Sequence, residues 1–246
     1  MSDVDLAQSP MAEFYREGQV LLFDKPLNWT SFDVVKKIKN QFKYHLKLKK
    51  FKVGHAGTLD PLASGLLIVC TGKFTKRIQE IQDASKVYEA IVTLGATRPS
   101  YDKETEIDET FETAHITEEL IKETLKSQFT GDIEQLPPIF SALKVGGKKA
   151  YKLARAGKEV ELKPRIISIY SIEIISVDLP VVKLNIHCSK GTYIRSIAHD
   201  LGKALNSGAY LSGLIRTKIG DFDVNNAMSP ADFDLDVHYQ SKDGIT

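Results

Sequence analysis

The chain has 246 residues with 42% hydrophobic and 26% charged side chains, a composition typical of a globular protein with a sizeable core. No apolar run approaches the roughly 20 residues of a membrane-spanning helix, and residues 1–17 lack the apolar core of a signal peptide, so we expect a cytoplasmic protein with no membrane partner. Cys70 and Cys188 both lie in apolar runs, which in that compartment indicates buried thiols rather than a disulfide.

The net charge of +1 hides an uneven distribution along the chain. Residues 43–52 contain five lysines and no acid, and residues 144–165 contain eight basic side chains against two glutamates. Acidic side chains are concentrated in residues 102–123 and again after Asp221. The two basic stretches indicate either a shared surface for a polyanion or ordinary solvated charge, and the residues alone leave both interpretations open.

The first elements predicted along the chain are a flexible segment, a strand and an amphipathic helix. Residues 1–17 are expected to be flexible, whereas residues 18–24 (GQVLLFD) are typical of a strand. Ser31 is the predicted N-cap of the helix that follows. That helix carries its apolar side chains on one face: Val34, Val35, Ile38 and Phe42.

The middle of the chain alternates strands with short helices. The run LLIVC (66–70) predicts a buried strand, which is followed by a short helix near residues 75–82 and a strand over residues 86–95. A further helix is predicted over residues 117–129, beginning from Thr117.

Residues 135–165 look like an excursion from the core, because Pro-Pro, Gly-Gly and Ala-Gly pairs surround a short basic helix centred on Tyr151. Strands return at residues 166–176 and 181–188. A last helix is predicted to be capped by Thr192. Its expected inner face consists of Ile194, Ile197, Ala198, Leu201 and Leu205.

Strands punctuated by helices, without regular strand-helix-strand repetition, predict an α/β (α+β) fold with a mixed, mainly antiparallel sheet and peripheral helices. We expect one main domain over residues 18–222, with residues 135–165 as an insertion. Residues 223–246 are acidic and poorly patterned, and we expect them to be a loosely held tail.

Several common chemistries lack the motifs that they need. The chain contains no GxxxxGK[ST] or GxGxxG nucleotide-binding loop and no GxSxG nucleophile elbow. His187 and Cys188 are adjacent on a predicted strand, so they face opposite sides of the sheet and do not form a joint metal site. We therefore expect neither a metal nor any other cofactor, which leaves carboxylate, arginine and aromatic chemistry.

The stretch KVGHAGTLDPLASGLLIVCTG (52–72) surrounds one carboxylate, Asp60, with glycines. Asp60 followed by Pro61 is a favoured helix start, so one interpretation is an N-cap of a single turn that ends at Gly65. The other is a loop whose glycines allow close approach to a ligand and whose carboxylate is available for chemistry. His55 is likewise either a turn residue or a functional one.

The segment CSKGTYIRS (188–196) has the same ambiguity. Tyr193 and Arg195 alternate with the inward-facing Ile194, so both are expected to point away from the core. An arginine in a cleft would pair with a carboxylate and fix its orientation, whereas the alternative is a pair of ordinary surface residues.

Six ordered blocks carry a family resemblance: DKPLNWTSFDVV, GHAGTLDPLASGLL, KVYEAIVTLG, PPIFSALKVGGKKAYKLARAG, CSKGTYIRSIAHDLG and LSGLIRTKIGDF. They resemble the bacterial tRNA pseudouridine-55 synthase family, the TruB type, and the resemblance covers roughly residues 18–222. The resemblance implies the pseudouridine synthase fold and an isomerase that detaches uracil from its ribose, turns it and rejoins it through carbon 5. It further implies a tRNA T-stem-loop as partner, no cofactor, no obligate protein partner and a monomer.

The resemblance also assigns roles to residues. In that family the aspartate of the GTLDP motif is the catalytic nucleophile, which corresponds to Asp60, and an arginine corresponding to Arg195 would pair with it and keep it ionised. Tyr88 would lie against the base and take part in proton transfer, and His55 would fill the space that the flipped base leaves. The remaining implied substrate contacts are Tyr193, Leu214 and Lys25.

Two departures from the family pattern stand out. Many members have Thr-Asp-Thr where this chain has Arg98-Pro99-Ser100, although the nearby Asp102 matches, so the resemblance leaves the conformation of that loop open. Many members also carry a C-terminal PUA domain, and the residues after 222 are too few for one here. Residues 135–165 resemble the insertion with which the family clasps RNA.

Two other functions compete with this one. The first is an RNA-binding or tRNA-folding module in which catalysis is secondary, against which the complete set Asp60, Tyr88, Tyr193 and Arg195 argues. The second is an aspartate-dependent hydrolase of a glycosidic bond, which ranks last because a second well-placed carboxylate is missing.

Overall fold

The computed structural model describes residues 6–141, 143–157 and 161–243. The chain divides into two compact units, which are described separately. Unit 1 contains the chain up to Ala84 together with the part from Ile215 onward, and unit 2 contains Ser85–Leu214. No helix in the described ranges has the length and apolar character needed to cross a membrane.

The helices of the described chain agree with the prediction in the middle of the sequence and extend it at both ends. They are α1 (Pro10–Glu17), α2 (Ser31–His45), α3 (Ile78–Asp83), α4 (Glu118–Gln128), α5 (Ala150–Arg155), α6 (Ile194–Ala204) and α7 (Leu235–Asp243). A 3₁₀ helix over Gly72–Arg77 precedes α3 directly, so the predicted short helix near residues 75–82 has two parts.

The strands are β1 (Val20–Lys25), β2 (Val53–His55), β3 (Ala63–Thr71), β4 (Lys86–Leu94), β5 (Ala96–Thr97), β6 (Glu109–Thr110), β7 (Gly131–Gln135), β8 (Lys144–Val145), β9 (Lys148–Lys149), β10 (Arg165–Asp178), β11 (Val181–Cys188), β12 (Ala209–Ile219) and β13 (Phe222–Asp223). The boundary between the units falls within β12.

Unit 1 is built around β3. Strands β1 and β2 both pair with it antiparallel, with Lys25 opposite Gly65 and His55 opposite Val69. Helix α2 buries the apolar face that its periodicity predicted against the same strands. The core of this unit includes Leu21, Phe23, Val34, Ile38, Phe42, Leu67 and Val69.

The predicted N-cap of α2 is wrong by one residue. Thr30 is the cap: its hydroxyl accepts a hydrogen bond from the backbone N–H of Asp33, and the Asp33 side chain accepts one from the Thr30 N–H. This reciprocal capping box satisfies two helix donors at once, which a serine one residue later would not do. Ser31 is instead the first helical residue, with its hydroxyl facing the interior.

Unit 2 contains an antiparallel sheet in the order β4-β11-β10-β7. Helices α4 and α6 contribute apolar side chains to its core, and the predicted inner face of α6 is confirmed because all five of its residues are buried there: Ile194, Ile197, Ala198, Leu201 and Leu205. The mixed, mainly antiparallel α/β fold predicted from the sequence is therefore confirmed. Strand β12 was not predicted, because glycine and charged residues interrupt its alternation.

The predicted Thr192 cap of α6 is also wrong. Tyr193 occupies the N-cap position without a side-chain cap, and the Thr192 hydroxyl donates to the Ser189 carbonyl instead. The buried Gln135 side chain holds this turn from the end of β7: its amide donates to the Tyr193 carbonyl at 3.1 Å and its oxygen accepts from the Tyr193 N–H at 2.8 Å. A residue 58 positions away in sequence therefore fixes the start of the helix.

We expected a flexible N-terminal segment and a loosely held acidic tail, and the structure shows that the described parts of both pack into the core of unit 1. Helix α1 buries Ala12 and Tyr15, and the C-terminal segment buries Phe233 and Leu235 in the same core of unit 1. The Tyr15 hydroxyl donates to the Leu235 carbonyl at 3.0 Å and lies 2.9 Å from Nδ1 of His238. Burial raises the pKa of Tyr15, so this hydroxyl stays protonated.

Residues 135–165 begin in β7 and continue through the β8–β9 hairpin into α5, so the short helix centred on Tyr151 is confirmed. Gly146 and Gly147 form the exposed tip of the hairpin, both with positive φ. Residues 142 and 158–160 of this stretch lie outside the described residues. Both cysteines are free and buried, as expected, and burial raises the pKa of each to about 11.

Replacing Tyr15 with Phe tests whether α1 and the C-terminal segment are held together. The change removes a buried hydroxyl that connects Leu235 with His238, so we expect the free energy of unfolding to fall by about 1–3 kcal/mol in a denaturant titration. Tyr44→Phe is the matched control, because Tyr44 is 61% exposed and its loss should change stability by less than about 0.5 kcal/mol. Equal effects of the two changes would contradict the packing described here.

Candidate active site

Asp60 lies in the loop between β2 and β3 and is half-buried. The Ala63 N–H donates to the Asp60 carbonyl at 3.1 Å, which closes a four-residue turn with Pro61 in its second position. Strand β3 begins immediately afterwards, so the interpretation as a helical turn ending at Gly65 is wrong. Proline suits this turn position because its fixed φ matches it.

Two contacts from the start of α2 hold the backbone on either side of Asp60. The Ser31 hydroxyl accepts from the Leu59 N–H at 2.8 Å and donates to the Leu59 carbonyl at 3.1 Å. The Asn28 N–H donates to the Pro61 carbonyl at 2.8 Å. Ser31 was predicted only as a helix cap and Asn28 was not singled out, since the partners of both lie about 30 positions away in sequence.

Arg216 connects the two sides of the loop and is only 2% exposed. Its Nε donates to the Leu66 carbonyl at 2.8 Å, and its terminal nitrogens approach the carbonyls of Gly57 at 3.1 Å and Thr58 at 3.5 Å. Because carbonyls before and after the turn bind one rigid guanidinium, the loop has a defined shape. Sequence reasoning missed Arg216, although an arginine inside the apolar block LSGLIRTKIGDF was the available signal.

Gly65 makes this arrangement possible. Its φ is +100°, and a Cβ atom there would lie 2.4 Å from the Arg216 carbonyl oxygen and 2.7 Å from its nitrogen. Gly65 therefore allows a close approach, as expected, but the group that approaches is the backbone of Arg216 rather than a ligand. Gly57 also has a φ of +100°, which favours glycine where the loop turns under the guanidinium.

Lys25 is fully buried at the end of β1. Its Nζ donates to the carbonyls of Pro26 at 2.9 Å and Trp29 at 2.7 Å. Burial lowers its pKa to about 8; the negative charge of Asp60 opposes this shift, and the positive charge of Arg216 adds to it. Lys25 and Arg216 thus supply positive charge to the surroundings of Asp60 within unit 1.

His55 ends β2 and is partly buried. Burial is the main cause that lowers its pKa, the nearby Arg216 lowers it further, and a backbone interaction with Gly57 opposes both. The imidazole is therefore neutral at neutral pH, a state suited to stacking against a base.

Arg195 was expected to point away from the core, and this expectation is wrong, because the side chain is buried in unit 2. Its Nη1 donates to the Phe140 carbonyl at 2.9 Å and the Ser100 carbonyl at 3.4 Å, and it lies 3.5 Å from Oδ2 of Asp102. Polar partners explain how an arginine occupies a buried position beside the apolar Ile194. Its pairing with Asp60 stays a prediction.

The loop that begins with Arg98-Pro99-Ser100, where the sequence departs from the family pattern, is held by contacts of its own residues. The Arg98 guanidinium lies 4.6 Å from the centre of the Tyr210 ring and also binds the Thr105 carbonyl. The Ser100 hydroxyl donates to the Asp102 carbonyl at 3.0 Å. Asp102, which matches the family, thereby reaches Arg195 in spite of the different residues before it.

The other predicted residues of unit 2 lie on the elements that the sequence assigned to them or at their ends. Tyr88 is on β4, opposite Ile186, and is 9% exposed. Tyr193 begins α6 with its ring 4.9 Å from the guanidinium carbon of Arg165. Leu214 is partly buried against the core of this unit.

The site residues thus fall into two groups. Unit 1 brings Lys25, His55 and Asp60 to the loop that Arg216 holds, and unit 2 contains Tyr88, Tyr193, Arg195 and Leu214. In the part of the chain that the structure describes, no group of three or more His, Cys, Asp or Glu side chains is arranged to hold a metal ion. A carboxylate on a loop with a fixed backbone and buried cations nearby is suited to nucleophilic chemistry.

Comparison with known proteins identifies close relatives. The family described as TruB family pseudouridylate synthase (N terminal domain) matches residues 43–194. A Bacteroides fragilis protein named tRNA pseudouridine synthase B is 57% identical over 219 residues, covering 89% of this chain and 94% of the relative. The Flavobacterium johnsoniae protein of the same name is 58% identical over 217 residues, covering 88% of this chain and 94% of the relative.

Solved structures with the same fold include a chain of a Cbf5-Nop10-Gar1 complex, with a TM-score of 0.69 and 30% identity over 98% of this chain. A chain of an H/ACA RNP bound to a substrate RNA containing 2'-deoxyuridine has a TM-score of 0.66 and 28% identity, again over 98% of this chain. The present chain spans 60% of the length of each of these two.

The buried ammonium of Lys25 should make stability depend on pH in the alkaline range. Because its pKa falls from 10.5 to about 8 on folding, the unfolded chain binds the proton more tightly between these values, and stability rises with pH. Wild type should therefore gain about 1–3 kcal/mol relative to Lys25→Met between about pH 7.5 and pH 10, measured by urea unfolding. The exposed Lys36→Met is the control, and a pH-independent difference between wild type and Lys25→Met would contradict the burial of a charged lysine.

Proposed function

The chain belongs to the TruB family of pseudouridylate synthases, which are isomerases, and on this basis we propose that it converts the T-loop uridine at position 55 of tRNA to pseudouridine, with Asp60 as nucleophile. The observation that carries the proposal is the GTLDP loop, whose backbone Ser31 and Arg216 hold on either side of the half-buried Asp60. The relatives named tRNA pseudouridine synthase B support tRNA as the substrate.

The reaction breaks the bond between N1 of uracil and C1′ of the ribose and forms a bond between C5 and C1′. The proton lost from C5 is balanced by one gained at N1, so no oxidant, reductant or second substrate is consumed. Asp60 acts as a covalent nucleophile, which divides one difficult substitution into two easier steps. No cofactor is needed for this balance.

The charges around Asp60 suit this role. RNA that covers the loop removes water, which disfavours a free carboxylate, and cations nearby offset that cost. Lys25 and Arg216 provide positive charge from unit 1. Arg195, which Asp102 and two carbonyls orient, is the proposed direct ion-pair partner of Asp60.

The uridine must leave its stack in the T loop before it reaches Asp60, at a cost of a few kcal/mol. The neutral His55 fills the vacated position by stacking, and the Tyr88 ring lies against the flipped base, where its hydroxyl takes part in proton transfer. Tyr193 and Leu214 complete the contacts to the base. Lys25, whose ammonium is bound to two carbonyls, supports the substrate site from beneath.

At the level of the whole chain, residues 18–222 act as the catalytic domain, and residues 135–165 close over the bound RNA. The second role is supported by exposed basic side chains on the β8–β9 hairpin and on helix α5: Lys148, Lys149, Lys152 and Arg155. The protein acts as a cytoplasmic monomer on the T-stem-loop without an obligate protein partner.

Replacing Asp60 with Asn should abolish catalysis and leave binding nearly intact. Asn keeps the size and the hydrogen-bonding capacity of the side chain but is not a nucleophile, so pseudouridine formation in a T-stem-loop transcript should fall below detection. The dissociation constant of the transcript should stay within a few-fold of wild type. Asp24→Asn, at an exposed position of β1, removes the same charge and should retain full turnover.

Turnover by the Asp60→Asn variant would overturn the assignment of the nucleophile. Loss of both turnover and binding in Asp60→Asn, with normal behaviour of Asp24→Asn, would show instead that Asp60 holds the RNA. Mass spectrometry of the transcript detects the product through derivatisation, because isomerisation itself leaves the mass unchanged.

The hairpin tip at Gly146–Gly147 should become protected when RNA binds. A Cβ atom placed on either of these exposed glycines would have open space within 4 Å, so a protease of broad specificity has access to them in the free protein. A T-stem-loop transcript should slow cleavage there severalfold, whereas an unrelated hairpin of equal length should not. Identical cleavage rates with and without the transcript would refute closure of residues 135–165 over RNA.

A further inference from the structure

We propose that a basic cleft in unit 1, lined by Arg16, Lys50, Lys52, Lys73 and Lys76, binds the phosphates of tRNA outside the T arm. The proposal deepens the proposed function, on which it rests, by assigning a second region of the substrate to a surface distinct from the Asp60 loop. The cleft has a volume of about 340 Å³ and lies among the end of α1, residues 50–52 and the 3₁₀ helix Gly72–Arg77.

Hydrogen bonds to backbone groups hold these three segments together. The Thr71 hydroxyl donates to the Tyr15 carbonyl at 3.0 Å and accepts from the Gln19 N–H at 2.9 Å. The Gly72 N–H donates to the Lys52 carbonyl at 2.9 Å. The floor of the cleft is therefore organised before any ligand binds, which lowers the entropic cost of binding.

Gly72 allows the end of α1 to approach so closely. Its φ is +50°, and a Cβ atom at this position would lie only 2.1 Å from the Arg16 carbonyl oxygen. Any other residue would push α1 away and separate Arg16 from the lysines of the 3₁₀ helix. The backbone thus brings together cations that lie more than 50 positions apart in sequence.

The charge of the cleft is strongly positive. Two of the five cations have acidic partners: Glu13 lies 3.6 Å from Arg16, and Glu17 lies 2.6 Å from Lys73. Lys50, Lys52 and Lys76 are exposed, and they form no ion pair among the described residues. Long, solvated lysines spread over separate segments suit a row of phosphates better than one small anion, which requires converging donors.

Distance from Asp60 decides which part of the tRNA this cleft would contact. Strand β3 begins three residues after Asp60 and ends at Thr71, beside the cleft, so its nine residues separate the two sites by about 26 Å. RNA stems are A-form and rise less per base pair than the roughly 3.4 Å of B-DNA, so a stem of about five base pairs extends less than about 17 Å along its axis. The T stem is therefore shorter along its axis than this separation, which favours phosphates in the rest of the tRNA as the ligand of the cleft.

The test compares two RNAs and two matched double variants. Lys50→Ala/Lys52→Ala removes two cleft cations, and Lys122→Ala/Lys126→Ala removes two exposed lysines from α4. Dissociation constants for full-length unmodified tRNA and for the isolated T-stem-loop are measured by fluorescence anisotropy over a range of salt concentrations. Thermal unfolding verifies that each variant is folded.

For the cleft variant we expect binding of full-length tRNA to weaken about 5- to 10-fold, and the slope of log affinity against log salt to decrease by about one to two. Its affinity for the T-stem-loop should remain within two-fold of wild type, as should both affinities of the α4 variant. Unchanged tRNA binding by the cleft variant overturns the proposal. An equal loss of affinity for both RNAs also overturns it, because it would show that these lysines contact the T arm.

Pseudouridine formation in the T-stem-loop separates the failure of this proposal from the failure of the proposed function. If wild type forms none, the proposed function fails, yet the difference between the two RNAs still decides whether the cleft binds tRNA. If turnover is normal and the cleft variant binds both RNAs like wild type, only the cleft proposal fails.

Discussion

The arrangement of the candidate site depends on one buried guanidinium. Arg216 binds carbonyl groups on both sides of the loop that carries Asp60, and it does so from a strand about 150 positions further along the sequence. A loop rich in glycine has many accessible conformations, and fixing them costs entropy. Hydrogen bonds to a charged, planar donor offset this cost, and the two contacts between Ser31 and Leu59 contribute to the same effect.

The same guanidinium also has an electrostatic effect. Burying Arg216 and Lys25 close together is unfavourable for each, since both are cations removed from water. Backbone carbonyls solvate them, and the negative charge of Asp60 compensates part of the remaining cost. The Asp60 carboxylate and the two cations thus form one group of interacting charges. A change in the charge of Asp60 is therefore expected to change the local stability of unit 1 as well.

Local patterns predicted most of the central elements, because periodicity and turn residues act over short distances. The apolar faces of α2 and α6 were evident from their spacing, and Asp60 was singled out because glycines surround a single carboxylate. The exact caps were not evident, since propensity alone ranks Ser31 above Thr30, the residue that caps the helix.

Residues whose role depends on partners far away in sequence were missed. Arg216 and Gln135 each bind backbone groups about 58 or more positions away, and nothing in the neighbouring sequence indicates this. The ends of the chain were underestimated for a related reason. Their few apolar residues, such as Tyr15 and Phe233, give a weak pattern separately and form a common core only when both ends meet.

The discontinuous make-up of unit 1 has a consequence for how the protein matures during translation. Unit 2 is one continuous stretch and emerges complete from the ribosome before unit 1 does, because unit 1 requires residues from Ile215 onward. Until Arg216 has been synthesised, the loop of Asp60 lacks the donor that joins its two sides. The nascent chain therefore carries Asp60 in a loop without these hydrogen bonds, which form only after strand β12 has left the ribosome.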